Sequence, residues 1–241
     1  MYEPRTYRHW IKDEKLISFN VVVKETDLYI RASRNLKPKA LRLVLKYRNN
    51  LERYIERHPT FLTSLEPVAV GDDAPRIVKS MAESAQKAGV GPMASVAGAI
   101  AEFVGAELLA FSPEIIIENG GDIYLKSLGK RVVGIYAGNS PLSGKIGLEI
   151  DGEDTPLGIC TSSGTIGHSL SFGKADAVVV ISPSATLADA AATAIGNVIK
   201  QASDIPSGIE LAKSIEGLKG LLIIKDDQLG LWGDARICKT G

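Results

Sequence analysis

Residues 115–126 read IIIENGGDIYLK, and this stretch indicates how the chain folds. The three isoleucines at 115–117 form a β-branched run that is typical of a buried strand. Residues 119–122 (NGGD) then turn the chain, and the apolar residues at 123–125 carry it back. The stretch therefore predicts an antiparallel β-hairpin with a glycine-rich turn.

The segment before this hairpin, residues 93–110, is predicted to be a helix rich in alanine, glycine and serine. Glycine inside a helix costs about 1 kcal/mol relative to alanine. A helix that carries this cost usually lets another element or a ligand approach its backbone closely. We therefore expect Gly98, in this helix, to lie at a close contact and to belong to a ligand-binding site.

The flanking sequence predicts further hairpins and helices. They are a meander at 7–33, an amphipathic helix from Pro38 to near His58, a helix from about 75 to 87, strands at 131–136, 145–150 and 176–181, helices at 185–200 and 206–214, and a hairpin at 218–237. Residues 158–173 are interpreted as a polar, glycine-rich loop. Strands that pair as hairpins, with helices grouped between them, favour an α+β fold over a doubly wound parallel sheet. We expect a single domain over 1–241, made of the N-terminal meander at 7–33 and a core at 75–237. It should form one compact unit of two intimately packed layers.

Length and charge exclude several classes of protein. The chain has 241 residues, with 28 Lys plus Arg and 28 Asp plus Glu, so its formal net charge is zero. A nucleic-acid or anionic-membrane partner would call for a basic excess, so neither is expected. Two cysteines cannot build a disulfide framework. The sequence starts without the apolar run of a signal peptide and has no run of 18 apolar residues, which favours a cytoplasmic protein.

Asp189 and Thr193 are the candidate metal ligands. Four residues apart on the predicted helix 185–200, they place two oxygen atoms on one helical face, among small alanines. A carboxylate and a hydroxyl suit Mg²⁺ that is shared with substrate phosphates. The alternative is structural, because Asp favours an early helical turn and a Thr hydroxyl can bond the carbonyl one turn back.

The segment 158–173 carries a second group of candidates. The hydroxyl groups, with backbone amides that glycine leaves unpaired, could bind an anion, or the segment could be an ordinary solvated loop. The candidate residues are Thr161, Ser162, Ser163, Gly164 and Thr165. His168 could act as a general base near neutral pH, or make only a structural hydrogen bond. Cys160 is interpreted as a small buried thiol rather than a nucleophile.

The NGGD turn is the third group. Its two glycines, Gly120 and Gly121, permit positive φ and close approach of a ligand to the backbone. Asn119 and Asp122 could hold a ribityl, ribose or amide group, or they could simply cap the turn.

Together and in this order, these motifs resemble the ApbE-like flavin transferase family. The family shows a small-residue helix with a glycine, a GGD turn, a TSG loop, a His segment and an ADxxxT helix. They stand here at 91–102, 119–122, 161–164, at His168, and at 188–193. Two features differ from the family pattern. Ala97 stands where the family usually carries a Lys, and no Pro-Arg-Thr-Gly-like turn follows His168.

The resemblance implies a T-fold-related, ApbE-like α+β fold, in a shortened cytoplasmic branch of the family. It also implies FAD and Mg²⁺ as cofactors, Asp189 and Thr193 as metal ligands, and possible transfer of FMN from FAD to a Thr or Ser of a protein acceptor. We therefore expect a nucleotide-binding protein, with His168 as the candidate base, and a homo-oligomer. The alternatives are a flavin or phosphometabolite carrier without turnover, and an enzyme that uses this pocket on another phosphorylated small molecule.

Overall fold

The computed structural model of the protein describes residues 16–164 and 172–240. The helices are α1 (Lys37–Arg57), α2 (Thr60–Thr63), α3 (Arg76–Ala88), α4 (Val96–Leu108), α5 (Ala185–Val198) and α6 (Ile205–Ser214). The strands are β1 (Ile17–Val23), β2 (Thr26–Ala32), β3 (Ile115–Asn119), β4 (Asp122–Lys126), β5 (Arg131–Gly134), β6 (Ile146–Ile150), β7 (Leu157–Ser162), β8 (Ala177–Ser182), β9 (Gly220–Lys225), β10 (Gln228–Gly233) and β11 (Ile237–Lys239).

Eight strands form one antiparallel sheet in the order β1-β2-β3-β4-β7-β8-β9-β10. The hairpin predicted from the NGGD turn is confirmed as β3–β4, with Asn119 opposite Asp122 in the register. The sheet is nearly a meander, because its neighbours follow one another along the chain except between β4 and β7. There, β5 and β6 leave to form a second sheet of three strands in the order β11-β6-β5.

The middle strands of the large sheet are buried on both faces, and their alternate residues serve two different cores. Ile115, Ile117 and Val180 point into a core shared with the helices. Ile116 and Val179 point the other way, into a core shared with β5 and β6 of the small sheet. Because successive side chains on a strand face opposite sides, an unbroken apolar strand is needed to serve both cores. The predicted α+β fold of antiparallel sheets packed with helices is confirmed.

Most predicted elements lie close to their expected places. The amphipathic helix is α1, with Pro38 in its first turn. The helix expected from about 75 to 87 is α3, which ends at Gly89 with a φ of 69°. The small-residue helix starts as a 3-10 turn at Pro92–Ser95 and becomes α4. Residues 7–15 of the expected N-terminal meander lie outside the described residues, and its remaining part is β1–β2.

Two sequence-based assignments are wrong. The expected polar loop 158–173 begins with a strand, since β7 carries the chain to Ser162 and pairs with β4 and β8. The hairpin expected at 218–237 ends early at Gly233, whose φ is 68°. After this turn, β11 pairs with β6 in the small sheet instead of continuing beside β9. The first error arose because polar residues occupy the end of β7. The second arose because the turn at Gly233 moves the chain from the large sheet to the small one.

Among the described residues, no single helix is long and apolar enough to cross a membrane. One pair of helices that is bent by 103°, Arg76–Ala88 with Pro92–Leu108, meets the criterion by length and composition only.

Candidate functional site

Asp189 lies on the second turn of α5, close to the start of α4. Its carboxylate oxygen Oδ2 accepts a hydrogen bond from the backbone N–H of Gly98 at 2.8 Å. Gly98 lies in the first turn of α4, where backbone N–H groups have no carbonyl partner within their own helix. Asp189 therefore caps α4 from a neighbouring helix, which is a structural role that its position on α5 alone does not indicate.

Gly98 lies at a close helix contact, as the small-residue pattern predicted. A β-carbon at this position would overlap the carbonyl oxygen of Ala185 and would lie 2.8 Å from Cβ of Asp189. On the sheet side, a β-carbon at Gly158 would overlap Cα of Ala185. The element that approaches Gly98 is thus α5, and these two glycines let the start of α5 sit between α4 and β7.

Asp122 is the second acid at this site. It is buried at the start of β4, and its Oδ1 accepts the backbone N–H of Thr161 at 3.3 Å. Burial, followed by the nearby Asp189 charge, raises the pKa of Asp122 well above its usual value. Burial raises the pKa of Asp189 to about 7, although the N–H groups of Gly98 and Ala97 act in the opposite direction. The two carboxyl groups therefore share one poorly hydrated region.

Cys160 is a buried thiol beside these acids, as predicted. Its Sγ donates to the carbonyl oxygen of Ala185 at 3.3 Å. Burial, and then the charges of Asp122 and Asp189, raise the pKa of the Cys160 thiol well above its usual value. A thiol held in its protonated form is a poor nucleophile.

The NGGD turn is fixed by contacts within the protein. Asn119 donates through Nδ2 to the carbonyl oxygen of Ala97 at 3.0 Å, which joins β3 to the first turn of α4. The N–H of Gly121 donates to Oε1 of Glu118 at 2.9 Å. Gly120 and Gly121 have φ values of 70° and 105°, in the region that favours glycine. The turn is therefore rigid, and Gly120 is exposed at its tip.

The hydroxyl-rich segment is divided between a strand and a loop. Thr161 and Ser162 are the last residues of β7, and Ser163 and Gly164 follow it. Gly164 donates its N–H to the carbonyl oxygen of Ala175 at 3.0 Å, which holds this end of the segment against the chain two residues before β8. Thr165 and His168 lie outside the described residues.

Thr193 lies one turn after Asp189 on α5 and is partly exposed. In the described parts of the chain, its hydroxyl makes no hydrogen bond, so the back-bond considered from the sequence is absent there. No group of three or more His, Cys, Asp or Glu residues gathers as a metal site within 16–164 and 172–240. A cation at Asp189 and Thr193 would therefore need further oxygen atoms from a ligand or from water.

Glu102 is a residue of this region that the sequence reasoning missed. Its Oε2 accepts three hydrogen bonds from the start of α5: the Ser184 hydroxyl at 2.9 Å, and the Thr186 N–H and hydroxyl at 2.8 Å each. The sequence signal was weak: Glu102 is one of two acidic residues on a helix of otherwise apolar and mostly small residues.

A family model described as AbpE bacteria matches residues 8–212 of the chain. The chain belongs to this AbpE_bact family. The match extends over α1 to most of α6 and includes all the site residues described above, so it confirms the resemblance that the ordered motifs indicated.

Curated relatives of this AbpE_bact chain are similar over nearly their whole length. A UPF0280 protein of Methanocaldococcus jannaschii is 45% identical over 219 residues, which cover 88% of this chain and 89% of the relative. A UPF0280 protein of Methanococcus aeolicus is 43% identical over 243 residues, with 95% of each chain covered. One from Methanopyrus kandleri is 42% identical over 225 residues, with 90% and 91% covered.

Solved structures with the same fold include ApbE flavin transferases. The apo flavinyl transferase ApbE of Pseudomonas stutzeri matches with a TM-score of 0.62 at 13% identity, over 90% of this chain and 94% of that one. The ApbE protein of Thermotoga maritima matches with a TM-score of 0.58 at 12% identity, over 90% and 96%. At these identities the likeness establishes the fold of the AbpE_bact chain and not its activity.

Proposed function

We propose that this chain binds a flavin nucleotide, FAD, together with Mg²⁺, where α4, α5, the NGGD turn and the end of β7 meet. The observation that carries the proposal is the pair of poorly hydrated acids, Asp122 and Asp189. Among the described residues, no Lys or Arg forms an ion pair with either. Burying a carboxylate without a cation is costly, so such a pair either keeps a proton or holds a cation.

The donor set fits Mg²⁺. Asp189 offers a carboxylate and Thr193 offers a hydroxyl with no described partner, and both are hard oxygen ligands of the kind Mg²⁺ takes together with substrate phosphates. Bound there, Mg²⁺ would neutralise the charge of the FAD diphosphate.

The chain's own groups would position the rest of the nucleotide. Thr161 donates its N–H to Asp122, so this residue lies at the acid, and the hydroxyl groups of Thr161 and its neighbours are suited to phosphate oxygens. The exposed tip of the NGGD turn, at Gly120, offers a backbone surface for the flavin or ribityl part. The flavin transferase fold supports this class of ligand.

Calorimetric titration with FAD, with Mg²⁺ or with EDTA, tests the proposal. We expect binding in Mg²⁺ and a loss of at least about tenfold in affinity with EDTA, in Asp189→Asn and in Thr193→Val. Asp227→Asn, which changes an exposed acid in the β9–β10 turn, is the matched control and should bind as the wild type does. Equal wild-type affinity in Mg²⁺ and EDTA would contradict the metal assignment.

A second candidate is a flavin carrier without turnover. It is favoured by Ala97, which stands where the family usually has a Lys, and by the absence of a Pro-Arg-Thr-Gly-like turn after His168. The enzyme alternative transfers FMN from FAD to a Thr or Ser of a protein acceptor and releases AMP.

Incubation with FAD, Mg²⁺ and candidate acceptor proteins separates the two. We expect neither AMP nor covalent flavin from the wild type. AMP release by the wild type that is lost in His168→Ala, with FAD binding retained, would establish the transferase. A general base contributes about 10²–10⁴-fold to rate and little to ground-state affinity.

Another phosphorylated small molecule is the third candidate for this pocket. The absorbance spectrum and mass spectrum of whatever co-purifies with the protein would separate a flavin from a ligand without a flavin ring.

A further inference from the structure

Helices α4 and α5 cap each other at their first turns. Asp189 of α5 accepts the N–H of Gly98 in the first turn of α4. In return, Glu102 of α4 accepts the N–H and hydroxyl of Thr186 in the first turn of α5, and the hydroxyl of Ser184. Each helix thus supplies a carboxylate to the other's unpaired N–H groups, where the helix dipole favours negative charge.

These contacts fix how the two helices lie along each other. Gly98 of α4 bonds Asp189 of α5, and Glu102, one turn later on α4, bonds Thr186, which comes before Asp189 on α5. The helices therefore run in opposite directions at this contact. Residues three or four apart share a helical face. The two carboxylates accordingly join one face of α4 to one face of α5.

We infer that Glu102 is a positioning residue that holds the Asp189 carboxylate in place. The ligand that this carboxylate would serve rests on the proposed function. A single oxygen atom of Glu102 accepts all three hydrogen bonds at the start of α5, and Asp189 follows within one turn. Because bonds to a charged acceptor are roughly twice as strong as neutral ones, removing that charge weakens the attachment of the first turn of α5 to α4.

Amide hydrogen exchange at Gly98 in the ligand-free protein tests the inference directly. The Glu102 carboxylate bonds Ser184 and Thr186 and not the Gly98 N–H, so exchange of that N–H reports the position of Asp189. We expect at least about tenfold faster exchange at Gly98 in Glu102→Gln, measured relative to the amides of β8, which report global unfolding. Ten-fold corresponds to about 1.4 kcal/mol.

Glu107→Gln is the matched control. Glu107 lies on the same helix, pairs with Lys46 at 2.6 Å and accepts the hydroxyl of Tyr47. Within the described part of the chain, Glu107 makes no hydrogen bond or ion pair with α5, so its substitution should destabilise the helix layer without changing exchange at Gly98. Equal acceleration in both variants would show a general loss of stability and overturn the inference.

FAD affinity in Mg²⁺ provides the second readout. We expect about tenfold weaker binding in Glu102→Gln and wild-type binding in Glu107→Gln. Faster exchange at Gly98 with unchanged affinity would overturn the inference for the ligand site. A wild-type protein that binds no FAD would overturn the proposed function, and exchange at Gly98 would then decide the role of Glu102 alone.

Thr186→Val keeps the test decisive if Glu102→Gln does not fold. Thr186 is fully buried and similar in shape to Val, and this change removes only one of the three donors. A smaller acceleration at Gly98 in the same direction is expected. Unchanged exchange at Gly98 in this variant would contradict a role for the Glu102 contacts.

Discussion

Asp189 has a carboxyl group that binds its proton more tightly in the folded chain than in the unfolded one. Burial raises its folded-state pKa to about 7, whereas an unfolded Asp titrates near 3.8. The folded state therefore binds more protons between these values, and stability falls as pH rises from about 4 to 7. Each unit of pKa difference corresponds to about 1.4 kcal/mol.

Asp189→Asn should remove this part of the pH dependence. Without divalent cations, urea unfolding of the wild type should show stability decreasing from pH 4.5 to 8, and the variant should show a flatter profile. Asp122 titrates in the same direction, so some slope remains in the variant. Parallel profiles for the two proteins would contradict the buried, uncompensated state of Asp189.

Cys160 should resist alkylation in the folded protein. The thiol is buried and its raised pKa disfavours the reactive thiolate, while Cys238 is partly exposed and serves as the internal control. Mass spectrometry after iodoacetamide treatment should find modification at Cys238 first, and at Cys160 only in denaturant. Comparable labelling of both residues under native conditions would show that the site around Ala185 opens.

At the scale of elements, the contact between α4 and α5 tolerates no side chain at Gly98. Gly98→Leu should lower the free energy of unfolding by at least about 1–3 kcal/mol, the range found for overpacking a filled site. Thermal or urea unfolding measures the change. Gly129→Ala is the control, since a β-carbon there would meet no described atom within 4 Å. A stable Gly98→Leu variant would show that α4 does not pack against α5 as described.

The same contact shows how far sequence patterns reach. Helices α1 and α3 were predicted to within a few residues from apolar periodicity and from a proline near the start of each helix, because those signals are local. The small residues of α4 predicted a close contact but not its partner. Glu102 and Thr186 are 84 residues apart, so their bond could not be predicted from a single sequence.

Only part of the candidate site could be predicted, again because contacts between residues far apart in the chain are not visible in a single sequence. Asp189 and Asp122 were identified by motif, and the structure brings them together. The strand character of Thr161 and Ser162 was missed, because their polar side chains occupy the end of a strand whose pairing partners supply its stability. Asp189 was expected to be free for a metal, whereas the fold also uses it as a helix cap.

At the scale of the whole molecule, the middle of the large sheet should be its most stable part. All six residues of β8 are buried, and β8 pairs with β7 and β9 on its two sides. Native-state hydrogen exchange should be slowest at β8 and β7 and faster in β10, whose residues are mostly exposed or partly exposed. Exchange in β10 as slow as in β8 would indicate that another surface covers this edge.

Because β11 pairs with β6, the small sheet is assembled from strands that are synthesised at widely separated times. β5 and β6 are synthesised just after the midpoint of the chain, but their third strand is made only after β7, β8, α5, α6, β9 and β10. Until then, the edge of β6 that β11 covers exposes unpaired backbone groups, which invite pairing with other chains. The small sheet is thus completed last, and β6 keeps one open edge from its own synthesis until β11 is made.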